Sequence, residues 1–346
     1  MRKFSIEKPD QGLRNSIQEK IDNLNKPKGS LGMLEDIAMQ ICLIQQTLSP
    51  TLRHPYHLLL GGDHGIELER VSVSPREVTW QQMINFAHGG GGVNMFCRQH
   101  GFRLKLIDVG IDHDLSAYSD KIIDRKIARG TKNFLHEPAM TDKEYAQAID
   151  IGASLVDDCI KDGCRIISLG EMGIANTSPS SIWMSLFGNI PLSECIGAGA
   201  GLNDAGVRHK LSVLRQSVTH YRNTSPHISP IPYFGGFEMA AAIGAMLRAA
   251  ERRLPIMVDG FIMSACMLAA SQLYPAILHY AIFCHCGDEN GHRKMLRLMN
   301  VRSILNLGMR LGEGTGALCA YPIIDSAVRM INEMNTFDNA KITKYF

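Results

Sequence analysis

Three things are scarce in this chain, and each scarcity removes a class of protein. Proline is held to 14 of 346 residues and charged residues to 20%, against 45% hydrophobic, so collagen, low-complexity and wholly disordered readings fall away. An excess of one charge sign is also missing. Lys plus Arg number 36 and Asp plus Glu 34, a difference of +2, and the basic residues are scattered rather than striped, which excludes the electrostatic footprint of a nucleic-acid binder. A small, neutral-to-anionic ligand is the expectation. Long hydrophobic runs are the third absence: the best candidate, Pro255 to Ala270, carries Asp259 in its middle and falls short of the ~18 uninterrupted apolar residues of a bilayer span. The opening MRKFSIEKPDQG lacks the apolar stretch of a secretory signal. A soluble, cytoplasmic protein without a membrane partner is therefore expected.

Cysteine, by contrast, is present nine times, at 42, 97, 159, 164, 195, 266, 284, 286 and 319. The number is odd, no framework spacing is visible, and several lie inside apolar runs, so reduced core thiols are expected. At about 100–200 residues per domain the chain suffices for one large domain with an appendage.

Helical spacing opens the chain, over Gln11–Leu24 and Leu31–Gln46, with turn chemistry at Lys26-Pro27-Lys28-Gly29-Ser30 between them. Short apolar runs then alternate with longer helical stretches, the mark of a parallel sheet with crossover helices. Strands are expected at Tyr56–Leu60, Leu104–Val109, Arg165–Leu169, Pro255–Val258 and Ala281–Cys284. Helices are expected at Gln81–Phe86, Asn94–His100, Lys143–Ile160, Asp204–Ser217, Phe237–Glu251, Ile262–Tyr274, Gly291–Met299 and Thr315–Asn335. Each strand is followed by a polar, glycine-rich segment: GGDHG (61–65), GIDHD (110–114), GEMGIANTSPSS (170–181), DGF (259–261) and HCGDENGH (285–292). In an open α/β sheet these ends lie along one edge, where ligands bind. Turns and caps account for about half of such residues; their density exceeds what turns require.

Several segments carry candidate chemistry. Arg310-Leu311-Gly312-Glu313-Gly314-Thr315-Gly316-Ala317 places one carboxylate between glycines, just before a long helix. Two readings stand: Glu313 as cap or dipole partner of that helix, or as a general base beside a flat ligand. Gly170-Glu171-Met172-Gly173-Ile174-Ala175-Asn176-Thr177 has the same character, with amides 173–177 readable as an anion nest or as a capping loop for a helix starting near Ser178. Gly197-Ala198-Gly199-Ala200-Gly201-Leu202-Asn203-Asp204 fails the GxGxxG spacing of a dinucleotide fingerprint, leaving a glycine loop before a helix with Lys210 as charge partner. Gly89 to Gly92 reads better as a device for close helix packing than as a phosphate contact. Cys284-His285-Cys286 with His292 has neither a usual zinc spacing nor a second cysteine pair, so no metal is expected. Asp63-His64 and Asp112-His113-Asp114 lack a nucleophile with a matching signature, so a hydrolase triad is not supported.

Taken together, KPKGSLGMLEDIA (26–38), DHG (63–65), VSPREVTWQQM (73–83), DVGID (108–112), GEMGIANTSPSS (170–181), GGFEMAAAIGAML (235–247), DGFIMSA (259–265) and RLGEGTGA (310–317) resemble the nicotinate-nucleotide:dimethylbenzimidazole phosphoribosyltransferase family over nearly the whole chain. The resemblance implies transfer of the phosphoribosyl group of nicotinate mononucleotide to 5,6-dimethylbenzimidazole, giving α-ribazole phosphate and nicotinate, with no metal or redox cofactor. It implies Glu313 as general base and Glu171 as its support. It further implies that Ser74 and Gln82 line the benzimidazole site, that Met172 and Leu311 supply apolar walls, and that Gly173, Asn176, Thr177, Gly199 and Lys210 serve the phosphate. The implied fold is α/β: a Rossmann-like, mainly parallel sheet over 51–304, plus a small helical domain from 1–50 together with 305–346, in a homodimer. Two departures from the family pattern stand out. GAGAGLND (197–204) occupies the place of GRGTGxDD, removing an Arg and a Thr from the phosphate side, and HCGDENGH (285–292) that of SHxSAEPGH. The acceptor stays open between dimethylbenzimidazole and adenine, other benzimidazoles or phenols, and a non-catalytic nucleotide binder is the alternative of another class.

Overall fold

Residues 2–199 and 201–346 are described by the structure, a computed structural model, so Ala200 of the glycine loop lies outside the described residues. Six strands form one sheet: β1 (Tyr56–Gly62), β2 (Arg103–Gly110), β3 (Ile122–Asp124), β4 (Ile167–Met172), β5 (Ile256–Val258) and β6 (Ala281–Phe283). Their order is β3-β2-β1-β4-β5-β6 and every pairing is parallel. Around them run α1 (Arg14–Asn23), α2 (Met33–Gln45), α3 (Glu77–Ala87), α4 (Gly92–His100), α5 (Asp142–Lys161), α6 (Thr177–Gly188), α7 (Asp204–Thr224), α8 (Pro230–Phe234), α9 (Phe237–Glu251), α10 (Phe261–Leu273), α11 (His292–Leu298), α12 (Thr315–Glu333) and α13 (Phe337–Ala340). This is the Rossmann-like α/β fold expected from the alternation of short apolar runs and helical stretches.

Side chains alternate across a strand, so a sheet covered on both faces needs apolar residues at nearly every position. Leu58 and Leu60 of β1, Ile107 of β2, Ile167 and Leu169 of β4 and Val258 of β5 enter one core with α5, α6, α9 and α10. Leu59, Leu106, Met257 and Ile282 point the other way, into a second core with α2, α4 and α12. The two chain ends meet on that second face: Asn25 N–H donates to the Asn335 carbonyl at 2.8 Å, and Leu24 bridges Thr336. All nine cysteines are free thiols, eight of them buried. Among the described residues no helix is long and apolar enough to cross a membrane.

Three expectations need correction. Strand β3 was not expected; three residues within a polar stretch carry too little alternation to be read, and pairing with Leu106–Asp108 of β2 creates it. The strand expected at Arg165–Leu169 lies at Ile167–Met172. Its register sets Gly170 against Leu59 and Glu171 against Leu60, so the neighbouring strand imposes β structure on residues of low strand propensity. Helix α7 runs to Thr224 rather than Ser217, and α6 is a full helix of its own.

Candidate active site

A cleft opens at the carboxyl ends of the strands, where β1 continues to β2 on one side and faces β4 on the other, the switch point at which open α/β sheets bind ligands. It encloses about 950 Å³, mouth included. Four segments wall it: Glu171 to Thr177, Asp259 to Ile262, the loop after β6 with His285 and Glu289, and Met309 to Gly316 before α12. Of the five Gly- and Asp-rich strand ends expected to share one site, those after β4, β5 and β6 line the cleft, whereas 61–65 and 110–114 do not.

Glu313 is buried on this wall, 7% exposed, in an unusual backbone run. Gly312, Glu313 and Gly314 all have positive φ, at 87°, 61° and 76°. Glycine adopts this region freely, whereas a residue with a side chain pays about 1–2 kcal/mol for it, so Glu313 is held there by its surroundings. Thr315 Oγ closes the turn by donating to the Gly312 carbonyl at 2.8 Å, and the imidazole Nε2 of His57 lies 3.0 Å from the Glu313 carbonyl. The Glu313 carboxylate does not cap α12; Gly314 is the N-cap of that helix, and Asp259 accepts from the Ala317 N–H at 2.8 Å instead. The left-handed turn swings the Glu313 side chain away, to the start of α4, where Oε2 accepts from the Val93 N–H at 3.0 Å. Gly92 makes this approach possible, since a Cβ there would stand 3.3 Å from the carboxylate and 3.1 Å from Leu311. The packing role of the Gly89–Gly92 run is thereby visible. Burial raises the Glu313 carboxyl above its ordinary value while the Val93 and Gly92 N–H groups pull it down. Among the described residues Oε1 has no hydrogen-bond donor, and it is the oxygen left to act on a ligand.

Glu171 is equally buried but differently held. Its Oε2 accepts from the Asn176 side-chain amide at 2.5 Å. Burial, reinforced by the negative charges of Glu238, Asp259 and Glu313, raises its carboxyl to about 8. Asn176 is the N-cap of α6 by position, yet it serves Glu171 and makes no capping hydrogen bond. The proposed anion nest is also partly used up: the Ile174 N–H donates to Thr79 Oγ and the Asn176 N–H to the Gly173 carbonyl.

Thr177 and Gly199 line the cleft together with Met172 and Gly173, and Lys210 lies behind Thr177. Its Nζ donates to Thr177 Oγ at 2.7 Å, and burial lowers the ammonium to about 8. Arg310 and Glu289 complete this end. Leu311 stands at the rim, 60% exposed. Ser74 and Gln82 lie on the approach to α3 and on α3 itself, outside the lining, where Ser72 takes the nearest place.

Asp259 and Glu238 are not singled out by the sequence, and the Asp63-His64 and Asp112-His113 pairs stand there only as triad candidates. Asp259 is buried, raised to about 6 by desolvation against the pull of several backbone N–H groups. His64 and Glu238 form a wholly buried pair, Nε2 to Oε1 2.7 Å, directly behind Gly173. Both sit in motifs quoted above, DHG and GGFE, but 174 residues separate them and only the fold pairs them. Asp63 ties two strand-end loops together by accepting from the Asp112 N–H at 2.8 Å. Asp112 pairs with Arg76, and His113 stacks on Trp80 at 4.2 Å, so these motifs are structural joints.

The model of a phosphoribosyltransferase family matches residues 6–342. A nicotinate-nucleotide–dimethylbenzimidazole phosphoribosyltransferase of Bacteroides fragilis is 58% identical over 346 residues, all of both chains. The protein of the same name from Dechloromonas aromatica is 44% identical over 99% of each. The crystal structure of CobT from Thermus thermophilus superposes with a TM-score of 0.91 at 30% identity, covering 96% of this chain and 99% of that one.

Proposed function

This chain belongs to the phosphoribosyltransferase family, and on that premise we propose that it transfers the 5-phosphoribosyl group of nicotinate mononucleotide to 5,6-dimethylbenzimidazole, releasing nicotinate and forming α-ribazole 5′-phosphate. The observation that carries this reading is Glu313: a buried carboxylate on the cleft wall, one oxygen fixed at a helix N-terminus and the other free. The reaction breaks the bond from ribose C1′ to the pyridinium nitrogen, whose electron pair returns to the ring, so nicotinate leaves with its ring charge relieved. A benzimidazole nitrogen attacks C1′ from the opposite face. Positive charge then develops on the acceptor, and Glu313 takes the proton from its second nitrogen. No electron is gained or lost overall, so the balance asks for no redox partner.

The cleft is electrically two-ended, which suits a donor with a cationic ring and an anionic phosphate. Glu171, Asp259 and Glu313 are the groups for the ring, while the Thr177 hydroxyl, backed by Lys210, and Arg310 are those for the phosphate, with the Glu289 carboxyl beside these two cations. Met172 and Leu311 are the apolar surfaces for the flat acceptor; Ser74 and Gln82, outside the lining, are assigned to the acceptor by the family resemblance alone. The division into a helical unit of 1–50 with 305–346 and an α/β unit of 51–304 belongs to the same proposal, supported by the meeting of the chain ends on one sheet face. So do the homodimer and a cytoplasmic location, the latter supported by nine unpaired thiols.

The test is direct. Purified protein incubated with nicotinate mononucleotide and 5,6-dimethylbenzimidazole should yield α-ribazole phosphate and nicotinate in equal amounts by chromatography and mass. Binding of both compounds without either product would move the non-catalytic reading ahead. Product with adenine or a phenol but not the benzimidazole would reassign the acceptor.

A further inference from the structure

His57 is the one imidazole in the run Tyr56-His57-Leu58-Leu59-Leu60, and it is fully buried. A buried imidazole inside a central strand needs both nitrogens satisfied. One partner lies across the sheet: the parallel register sets His57 beside Ser168 of β4, and Nδ1 lies 2.9 Å from Ser168 Oγ. The other is 256 residues away in sequence, the main-chain carbonyl of Glu313, 3.0 Å from Nε2. A carbonyl only accepts, so Nε2 carries the proton; with the imidazole neutral, Nδ1 accepts from the Ser168 hydroxyl and the tautomer is fixed. Burial does hold it neutral, lowering its pKa to about 3.

The packing around this contact is built for it. A Cβ on Gly314 would lie 2.1 Å from His57 Cε1, and one on Gly170 would lie 2.5 Å from the Glu313 carbonyl oxygen and 2.7 Å from His57 Nε2. His57 does not line the cleft. What it holds is the left-handed residue whose carboxylate does. With the Glu313 carbonyl fixed by His57 and Oε2 fixed by Val93 N–H, the backbone and the side-chain tip are both pinned, and the direction of Oε1 follows.

We propose that His57, locked by Ser168, is a positioning residue for the general base, holding the Gly312-Glu313-Gly314 turn so that the free carboxylate oxygen meets the acceptor's N–H. This rests on the assignment of Glu313 as base. It distinguishes His57 from an ordinary core residue, whose loss would lower stability without a selective effect on the chemical step.

The experiment compares His57→Leu, His57→Gln and Ser168→Ala, alone and in a Glu313→Gln background, by steady-state turnover and acceptor binding. His57→Leu is expected to lower kcat roughly 10–100-fold, the scale of an ångström-size misplacement, with acceptor KM within about threefold. His57→Gln, whose amide N–H can reach the same carbonyl, is expected to recover most of that loss. Ser168→Ala, which leaves Nδ1 without its donor while keeping the ring and its Nε2–H bond to Glu313, is expected to cost about two- to fivefold and serves if His57→Leu does not fold. In the Glu313→Gln background His57→Leu is expected to do nothing further, because the group it aims is gone. Near-normal kcat in His57→Leu, no advantage of Gln over Leu, or full additivity with Glu313→Gln would each overturn the proposal. An inactive wild type, or a fully active Glu313→Gln, would instead sink the assignment of the base.

Discussion

Glu313 and Glu171 make a controlled comparison within one cleft. They are the same residue type, each 7% exposed, and each has glycine before or beside it. Glu313 sits in a left-handed turn and is held by main-chain N–H groups at the start of α4. Glu171 ends a regular strand and is held by one side-chain amide, with three carboxylates close enough to raise it further. Two N–H groups at a helix end favour an ionised carboxylate; negative neighbours favour a protonated one. Burial raises both carboxyls; negative neighbours push Glu171 up further, whereas the Val93 and Gly92 N–H groups pull Glu313 down against its burial. Environments that push two carboxyl groups apart are how one site assigns separate roles to like residues.

The sharpest way to break this comparison is to replace the ionisable carboxyl at each position in turn. Glu313→Gln should keep the fold and lose roughly 10²–10⁴-fold in kcat, the range for removing a general base. The acid limb of the wild-type kcat/KM profile should lie above the ordinary carboxylate value, because burial raises Glu313, with activity rising as pH rises through it. That limb should vanish in the variant. A larger loss in Glu171→Gln than in Glu313→Gln would reverse the assignment.

A second experiment tests whether the two glutamates depend on the turn between them. Gly312 has φ of 87°, and a Cβ there would lie 2.8 Å from Glu171 Oε1. Gly308 also has positive φ, at 67°, but open space around the same position. Gly308→Ala should cost only the backbone term, about 1–2 kcal/mol, with little change in kcat. Gly312→Ala adds the clash with Glu171 and displaces Glu313, so kcat should fall well beyond what the shift in Tm accounts for. Equal behaviour of the two variants in stability and rate would show that the turn and Glu171 are independent.

Most of the sheet and the location of the cleft were legible, because apolar runs ending in Gly and Asp mark buried strands and their turns by local chemistry alone. Glu313 and Glu171 stood out for the same reason. His57 did not: one histidine among leucines is indistinguishable from a core residue until the chain returns 256 residues later to place a carbonyl beside it. The His64–Glu238 pair and the service of Asp259 to α12 were hidden likewise by sequence distance. Strand β3 was too short to show a period. The capping reading of Glu313 failed for a different reason. Sequence proximity to α12 suggested the cap, but three successive positive φ values turn the side chain to another helix, and a backbone conformation of that kind is decided by contacts rather than by neighbours in the chain.

The smallest expected effect is on stability, and its sign separates the two glutamates' environments without any substrate. The Glu171 carboxyl stands at about 8 in the folded protein against an ordinary 4.5, so between those values the folded state binds a proton that the unfolded state has released. Stability contributed by this group is complete below 4.5 and is lost as pH rises through about 8. Glu171→Gln cannot ionise and escapes that loss. Its Tm relative to wild type should therefore rise from pH 5 to about pH 8 and level off above that, on the scale of about 2 °C per kcal/mol for a chain of this size. Parallel Tm curves would mean that Glu171 is ionised at neutral pH after all, and the contrast with Glu313 would then have to rest on backbone geometry alone.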